Sequence, residues 1–228
     1  MLGQVEGTDY DLYFPLFGIP VRVTPWFWLA AVIFGWSRLA NQQPTLFFIW
    51  VAALFFSILV HEMGHALMAK HYGWPPEVFL YHFGGVARFV PTRGYTPSRS
   101  ILISFAGPGA GFLLYGVVKL VEGTLRYKGV HLPLEARVAF FDLEFINLWW
   151  GLVNLLPVIP LDGGRISEQV CTLIRPRDGL LIALKIAIVA SGLVAFYFLR
   201  MERTWPAMLF GFLCVQNIQQ HQQISGRW

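Results

Sequence analysis

The sequence is poor in charged residues. Only 13% of its 228 residues are Asp, Glu, Lys or Arg, whereas 56% are hydrophobic. A soluble domain of this length carries about twice that fraction of charge, and one buried apolar helix would not account for the difference. The composition therefore indicates a polytopic membrane protein.

Cysteine is also scarce, and the chain has no concentrated positive charge. Cys171 and Cys214 provide neither a disulfide framework nor a cysteine-based zinc site. The formal net charge of +4 is modest, and the basic residues are scattered through predicted loops, which argues against nucleic-acid binding. Because the sequence also lacks an internal repeat and a long polar linker, we expect a single domain over residues 1–228.

Long apolar segments recur along the chain. A helix needs about 20 apolar residues to cross a hydrocarbon core of about 30 Å. Residues 1–11 have no basic n-region, so we expect no signal peptide there, and the first apolar segment should remain as a helix. The predicted fold is all-α, with about six transmembrane helices near Trp26–Leu39, Leu46–Met68, Ile101–Val121, Val138–Leu156, Leu180–Leu199 and Pro206–Gln219.

Two short stretches have β character. Phe17–Val23 alternates apolar and polar residues and predicts a short strand. Val78–Val90 contains two β-rich runs around Gly84 and Gly85, which predicts a hairpin. Two interpretations of this hairpin remain open: it presents an edge strand to an extended peptide, or it only joins two helices.

The second predicted span contains three ionisable residues. His61, Glu62 and His65 form the pattern H-E-x-x-H. Residues four apart share one face of a helix, so both imidazoles can bind one zinc ion while Glu62 acts as a general base. The pattern also recurs by chance in soluble proteins. Each charged group in lipid costs roughly 2–3 kcal/mol, however, which favours a metal site here.

A catalytic zinc ion usually has three protein ligands and one open position. The fourth predicted span ends in a stretch broken by Pro157 and Pro160, which runs from Asn154 to Arg165. Non-helical backbone at membrane depth is tolerated only where protein buries it or where it lines a cavity. Asp162 is the best-placed carboxylate for a third ligand, although taken alone it is better explained as an interfacial aspartate at a turn.

The order of the spans places these groups on one side of the membrane. In an up-down bundle, the C-terminal ends of the second and fourth spans emerge together. Basic residues are slightly more frequent in the loops of this side, which favours the cytoplasmic face. We expect a multi-pass protein in the plasma membrane of a prokaryote, with the active site toward the cytoplasm.

These motifs resemble those of the site-2 protease family of intramembrane zinc metalloproteases. The match includes the segments His61–His65 and Asn154–Gly164, which appear in the family's order. Phe105–Gly109 is similar to the family's Ala-Gly-Pro signature. The resemblance covers most of the chain and implies a minimal core without the PDZ or CBS domains of some members.

The resemblance also implies a site and a cofactor. It places one Zn²⁺ per chain on His61, His65 and Asp162, with Glu62 as the catalytic base. It gives Asn154 the role of holding the substrate or its oxyanion. The hairpin region resembles the family's membrane-associated β segment.

The expected function is that of a zinc metalloendopeptidase that hydrolyses peptide bonds in or near transmembrane segments. The expected partners are a single-span membrane protein substrate, the lipid bilayer and a regulatory membrane partner, with no nucleic acid. One alternative is a protein that binds or transports a metal without proteolysis, although transport favours repeated halves, which the sequence lacks. Another is an inactive scaffold homologue, against which the intact Glu62 argues.

Overall fold

The structure is a computed structural model that describes residues 8–82, 84–92 and 94–226. Residues 1–7, on which most of the signal-peptide prediction depends, lie outside this part. The described residues form four β-strands and seven α-helices. In chain order these are β1 (Leu12–Leu16), β2 (Ile19–Val23), α1 (Pro25–Ala40), α2 (Pro44–His71), β3 (Pro76–Tyr81), β4 (Gly84–Phe89), α3 (Pro97–Tyr127), α4 (Leu134–Asn154), α5 (Asp162–Ile174), α6 (Gly179–Arg200) and α7 (Thr204–Ser225).

The predicted helices are present, and the chain is an integral membrane protein of mostly helical structure. Each of the six predicted spans coincides with one helix, and only the fourth overruns its helix, by two residues. Among the described residues, α2, α3 and α6 are long and apolar enough to cross a membrane. For α1, α4 and α7 the crossing stays a prediction. Helix α5 was not predicted.

The chain divides into two compact units. The first consists of residues up to 93 together with 106–151, and the second of residues 94–105 together with 152–228. The first unit therefore holds the β-strands, α1, α2 and most of α3 and α4. The second holds α5, α6 and α7 with the segment that precedes them.

One four-stranded sheet occupies the first unit, in the order β1-β2-β3-β4. Both hairpins are antiparallel, and β2 and β3 pair in parallel. The strand predicted in Phe17–Val23 and the hairpin around Gly84 and Gly85 are confirmed, whereas β1 was not predicted. One face of the sheet packs on α1 and α2, so the sheet lies against the helix that carries H-E-x-x-H. The buried residues on this face of the sheet are Ile19, Val21, Val23, Val78, Leu80 and Ala87.

A pair of opposite charges lies inside the first unit. Arg38 of α1 donates two hydrogen bonds of 2.6 Å to the carboxylate of Asp142, a buried residue of α4. The same guanidinium donates to the carbonyl of Leu46 at 2.9 Å and lies 5.3 Å from the ring centre of Trp50. This bidentate geometry satisfies both charges, and removing Arg38 would leave the buried carboxylate of Asp142 without its partner.

Candidate metal centre

Helix α2 positions the three ionisable residues of the H-E-x-x-H motif. It begins at Pro44, whose fixed φ suits the first helical position, and it continues as an apolar segment of 28 residues. His61, Glu62 and His65 are 3%, 5% and 7% exposed. Burial of three such groups in one apolar helix requires partners of matching chemistry.

The two imidazoles face one another. Their Nε2 atoms are 3.2 Å apart, and the ring centres are 4.9 Å apart with an angle of 79° between the planes. Two nitrogen ligands at about 2.0–2.1 Å from a tetrahedral zinc ion would lie about 3.3 Å apart. The geometry of the pair therefore fits two ligands of one metal ion.

The third predicted ligand begins helix α5. Asp162 is the first residue of this helix. In the described part of the chain, His61, His65 and Asp162 are the group of residues that could hold a metal ion. Two imidazole nitrogens and a carboxylate oxygen are a ligand set of catalytic zinc. His82, in the turn after β3, is not a member of this group.

The carboxyl group of Glu62 lies against the backbone of β4. A Cβ atom added at Gly85 would be 2.8 Å from Cδ and 2.9 Å from Oε1 of Glu62. Real Cβ contacts are essentially never this short. The absence of a side chain at Gly85 therefore gives the Glu62 carboxyl group its place beside the strand, a relation that the sequence did not reveal.

Helix α3 passes equally close to the histidines. A Cβ atom at Gly107 would overlap Nε2 of His65, and one at Gly64 would overlap the carbonyl oxygen of Ala106. One turn later, a Cβ atom at Gly111 would be 3.5 Å from the Asn147 carbonyl oxygen, which is an ordinary contact. The two glycines of α3 thus differ: Gly107, in the Ala-Gly-Pro motif, makes room for the predicted ligand His65, whereas Gly111 has only an ordinary contact with α4.

A buried hydrogen bond supports α2 one turn before His61. Asn147 of α4 donates from Nδ2 to Ser57 Oγ at 2.8 Å and to the carbonyl of Leu143 at 2.8 Å. Ser57 and Asn147 are both 2% exposed. A donor and acceptor buried in this way are costly to separate, so the bond fixes α2 against α4 beside the metal ligands. Sequence reasoning missed both residues because each is a single polar position in an apolar helix.

Asn154 is the last residue of α4 and is half-buried. Its predicted role at a substrate or oxyanion stays a prediction.

Comparisons with known proteins show which family the chain is similar to. The model of Peptidase family M50 matches residues 49–126 and 134–198. A relative named a zinc metalloprotease in Synechocystis sp. is 30% identical over 222 residues, which are 89% of this chain and 57% of the relative. The zinc metalloprotease of Methanocaldococcus jannaschii is 32% identical over 180 residues, which are 76% of this chain and 48% of that protein. The chain thus spans about half the length of these relatives.

A solved structure extends the similarity to the fold. The site-2 protease from Methanocaldococcus jannaschii superposes with a TM-score of 0.64 and 25% sequence identity. The match covers 93% of this chain and 95% of that one. Both motif-bearing segments lie within the residues that the family model matches.

Proposed function

The chain belongs to peptidase family M50, and from this membership we propose that it is a zinc metalloprotease that hydrolyses peptide bonds in or near membrane-spanning segments. The observation that carries the proposal is the pair of Nε2 atoms 3.2 Å apart on α2, with Glu62 between the two histidines. The names of the relatives and of the solved structure support the same chemistry.

The proposed metal ligands are His61, His65 and Asp162. A zinc ion held by them would supply the Lewis acidity that makes water a nucleophile near neutral pH. Glu62 does not need to be a ligand, since its neighbours on the helix supply the two nitrogens. It accepts the proton of the attacking water and delivers it to the leaving amine. Asn154 donates a hydrogen bond to the substrate or to the developing oxyanion.

The sheet offers a place for an extended substrate. β4 is an edge strand in the order of the sheet. The Leu80 carbonyl accepts a hydrogen bond from Thr24 N, on the side of β2. The backbone N–H and C=O groups of successive residues in a strand point to opposite sides. Those of Phe79 therefore face β4, and those of its partner Val86 face β3. The polar groups of Gly85, Ala87 and Phe89 consequently point to the free edge of the sheet, which pairs with no other strand in the part of the chain that the structure describes.

We therefore propose that a segment of the substrate pairs with the free edge of β4. Such pairing gives affinity through main-chain hydrogen bonds and requires an extended peptide. Since Gly85 lies beside Glu62, a peptide on this edge passes close to the proposed general base. Of the two interpretations of the hairpin, substrate docking gives the contact between Gly85 and Glu62 a role in the reaction.

The membrane supplies the class of substrate. Glu62 and both histidines lie in a helix of 28 residues that is long and apolar enough to span a bilayer, with a mean hydropathy of 2.1 in an 18-residue window. A catalytic base inside such a helix would act on segments that share its depth. A single-span membrane protein is the proposed substrate, and a regulatory membrane partner and the lipid bilayer complete the proposed surroundings.

The first prediction tests the general base with Glu62→Gln. The variant should retain one zinc ion per chain, because the ligands are unchanged, while its turnover should fall by roughly 10²-fold or more. The assay uses purified full-length protein in detergent, a single-span substrate and elemental analysis of zinc. Glu135→Gln, at an exposed position of α4, is the matched control and should leave both quantities unchanged.

Removal of the metal provides the second arm of this experiment. A chelator should abolish cleavage by the wild type, and added zinc should restore it. Near wild-type cleavage by Glu62→Gln would exclude Glu62 as the base. Wild-type protein that binds no zinc would refute the proposed metalloprotease function.

A further inference from the structure

The segment between α4 and α5 has little regular structure of its own, and it ends at Asp162. Pro157 and Pro160 have no backbone N–H group, so two of its residues cannot donate hydrogen bonds. Leu161 N donates to the carbonyl of Val158 at 2.8 Å. This bond shapes the turn locally, but it does not tie the turn to another helix.

One side chain of α7 holds this segment. Asn217 donates from Nδ2 to the carbonyl of Ile159 at 2.8 Å and to the carbonyl of Leu213, in its own helix, at 2.7 Å. Because both neighbours are carbonyl oxygens, the NH₂ group of the amide must face them. The Oδ1 atom is buried and has no hydrogen-bond partner among the described residues.

The surroundings of Asn217 make this arrangement unfavourable for stability alone. Asn217 is 1% exposed, beside a cluster of buried apolar residues formed by Val158, Phe210 and Leu213. A buried amide whose oxygen has no partner carries a desolvation cost that a leucine of similar size would not carry. The hydrogen bond to Ile159, and not a gain in stability, therefore accounts for an asparagine at position 217.

The contact with Ile159 is close to the start of α5. Gly164 rests on the same residues: a Cβ atom there would be 2.5 Å from the carbonyl carbon of Val158 and 2.6 Å from Ile159 N. The first turn of α5 thus packs directly on the backbone that Asn217 binds. A displacement of the Ile159 carbonyl would move this turn, and Asp162 with it.

We infer that Asn217 is a positioning residue for the third metal ligand. By binding the Ile159 carbonyl, it fixes the turn that ends in Asp162 and so sets the place of the carboxylate. The inference rests on the proposed function, since it requires Asp162 to bind the metal. It assigns a role in the metal site to the last helix, which carries none of the three ligands.

Zinc affinity tests this inference without any measurement of cleavage. Full-length protein in detergent is titrated with zinc against a chelator of known affinity, for the wild type, Asn217→Leu and Ser191→Ala. Ser191 is a matched control because it is fully buried and donates to the carbonyl of Ala187 within its own helix. Asn217→Leu should weaken zinc binding about 10- to 100-fold, the range for residues that orient ligands, and Ser191→Ala less than about twofold.

Two additional measurements separate positioning from general destabilisation. The melting temperatures of the metal-free variants show whether Asn217→Leu is more damaging to the fold than Ser191→Ala. Asn217→Asp keeps the shape of the side chain, but it offers at most one hydrogen to two carbonyl oxygens, so it should also weaken zinc binding. It provides the test if Asn217→Leu does not fold.

A double-mutant cycle identifies the route of the effect. If Asn217 acts through Asp162, Asn217→Leu should not weaken zinc binding further in an Asp162→Ala background. An undiminished effect in that background would overturn the inference, as would wild-type affinity in both Asn217 variants. Wild-type protein without zinc would instead overturn the proposed function, and the inference with it.

Discussion

At the scale of single residues, the metal centre depends on two positions that have no side chain. Gly107 lies against Nε2 of His65, and Gly85 lies against the carboxyl group of Glu62. Close-packed protein interiors accommodate an added methyl group poorly when the neighbour cannot move. Both neighbours are side chains to which we propose a role in the reaction. Alanine at Gly107 should therefore affect metal binding, and alanine at Gly85 should affect catalysis.

The second prediction concerns Gly107→Ala. Alanine is the better helix former, so the local helix should not suffer, but its methyl group would overlap a ligand atom of His65. Zinc affinity should fall by about tenfold or more. Gly111→Ala, one turn later on α3, meets only ordinary contacts and should bind zinc like the wild type. Equal affinities of the two variants in a chelator titration would contradict the proposed place of His65.

The third prediction concerns Gly85→Ala, whose methyl group would displace the carboxyl group of Glu62. A misplaced catalytic group costs roughly 10²-fold in rate, whereas zinc affinity should stay unchanged because no ligand is touched. Gly116→Ala, where a Cβ atom meets nothing within 4 Å, is the control. Cleavage and zinc content are measured on the same preparations. Full activity of Gly85→Ala would show that Glu62 tolerates displacement.

At the scale of elements, the free edge of β4 distinguishes the two interpretations of the hairpin. A connector between helices would not need free donors and acceptors on its outer side. A docking strand would use them in main-chain pairing. Since Val86 points its N–H group toward β3, proline there would break the sheet itself. Phe89 is the better place for a test, because its N–H group points outward.

The fourth prediction therefore compares Phe89→Pro with Phe89→Leu. Both variants lose the ring stacked on Trp74 at 5.8 Å, but only proline also removes the outward N–H group. A single hydrogen bond contributes about 1 kcal/mol, so cleavage by Phe89→Pro should be about fivefold slower than by Phe89→Leu, with equal zinc content. Identical rates would reduce the hairpin to a connector.

The elements that sequence reasoning found and missed have a physical explanation. The H-E-x-x-H spacing is local, so a helix suffices to bring His61 and His65 together. Helix α5 escaped prediction because it is short, amphipathic and preceded by two prolines. The contact between Asn217 and Ile159 joins residues 58 positions apart, and no periodic pattern encodes such a pair. The same applies to Gly85 and Glu62.

At the scale of the whole molecule, the proposed function makes the helical structure of a membrane substrate part of the reaction. A membrane helix hides its amides in internal hydrogen bonds, and in lipid no water replaces them. Pairing with β4 requires that these bonds open first. Substrate selection should consequently depend on how easily a span unwinds.

The fifth prediction concerns this selection. In a single-span substrate, replacement of one Gly by Leu should slow cleavage by about fivefold, since glycine destabilises a helix by about 1 kcal/mol relative to good helix formers. Replacement of one Pro, which costs about 3 kcal/mol, should slow cleavage by about 10²-fold, and replacement of one Asn by less than about fivefold. The same replacement outside the span serves as the control. Cleavage rates are compared with the wild-type enzyme in detergent and in vesicles. Equal rates across the series would exclude unwinding as a selecting step.

The ion pair between Arg38 and Asp142 also has a consequence for biosynthesis. The two residues are 104 positions apart, so at ~5–20 residues per second the ribosome delivers Asp142 about 5–20 s after Arg38. During that interval the guanidinium lacks the carboxylate that it pairs with in the folded chain, and lipid would be a costly place for it. We expect the nascent α1 to wait at the aqueous interface until α4 emerges, so that α1 reaches its final depth only after α2 and α3 have been made.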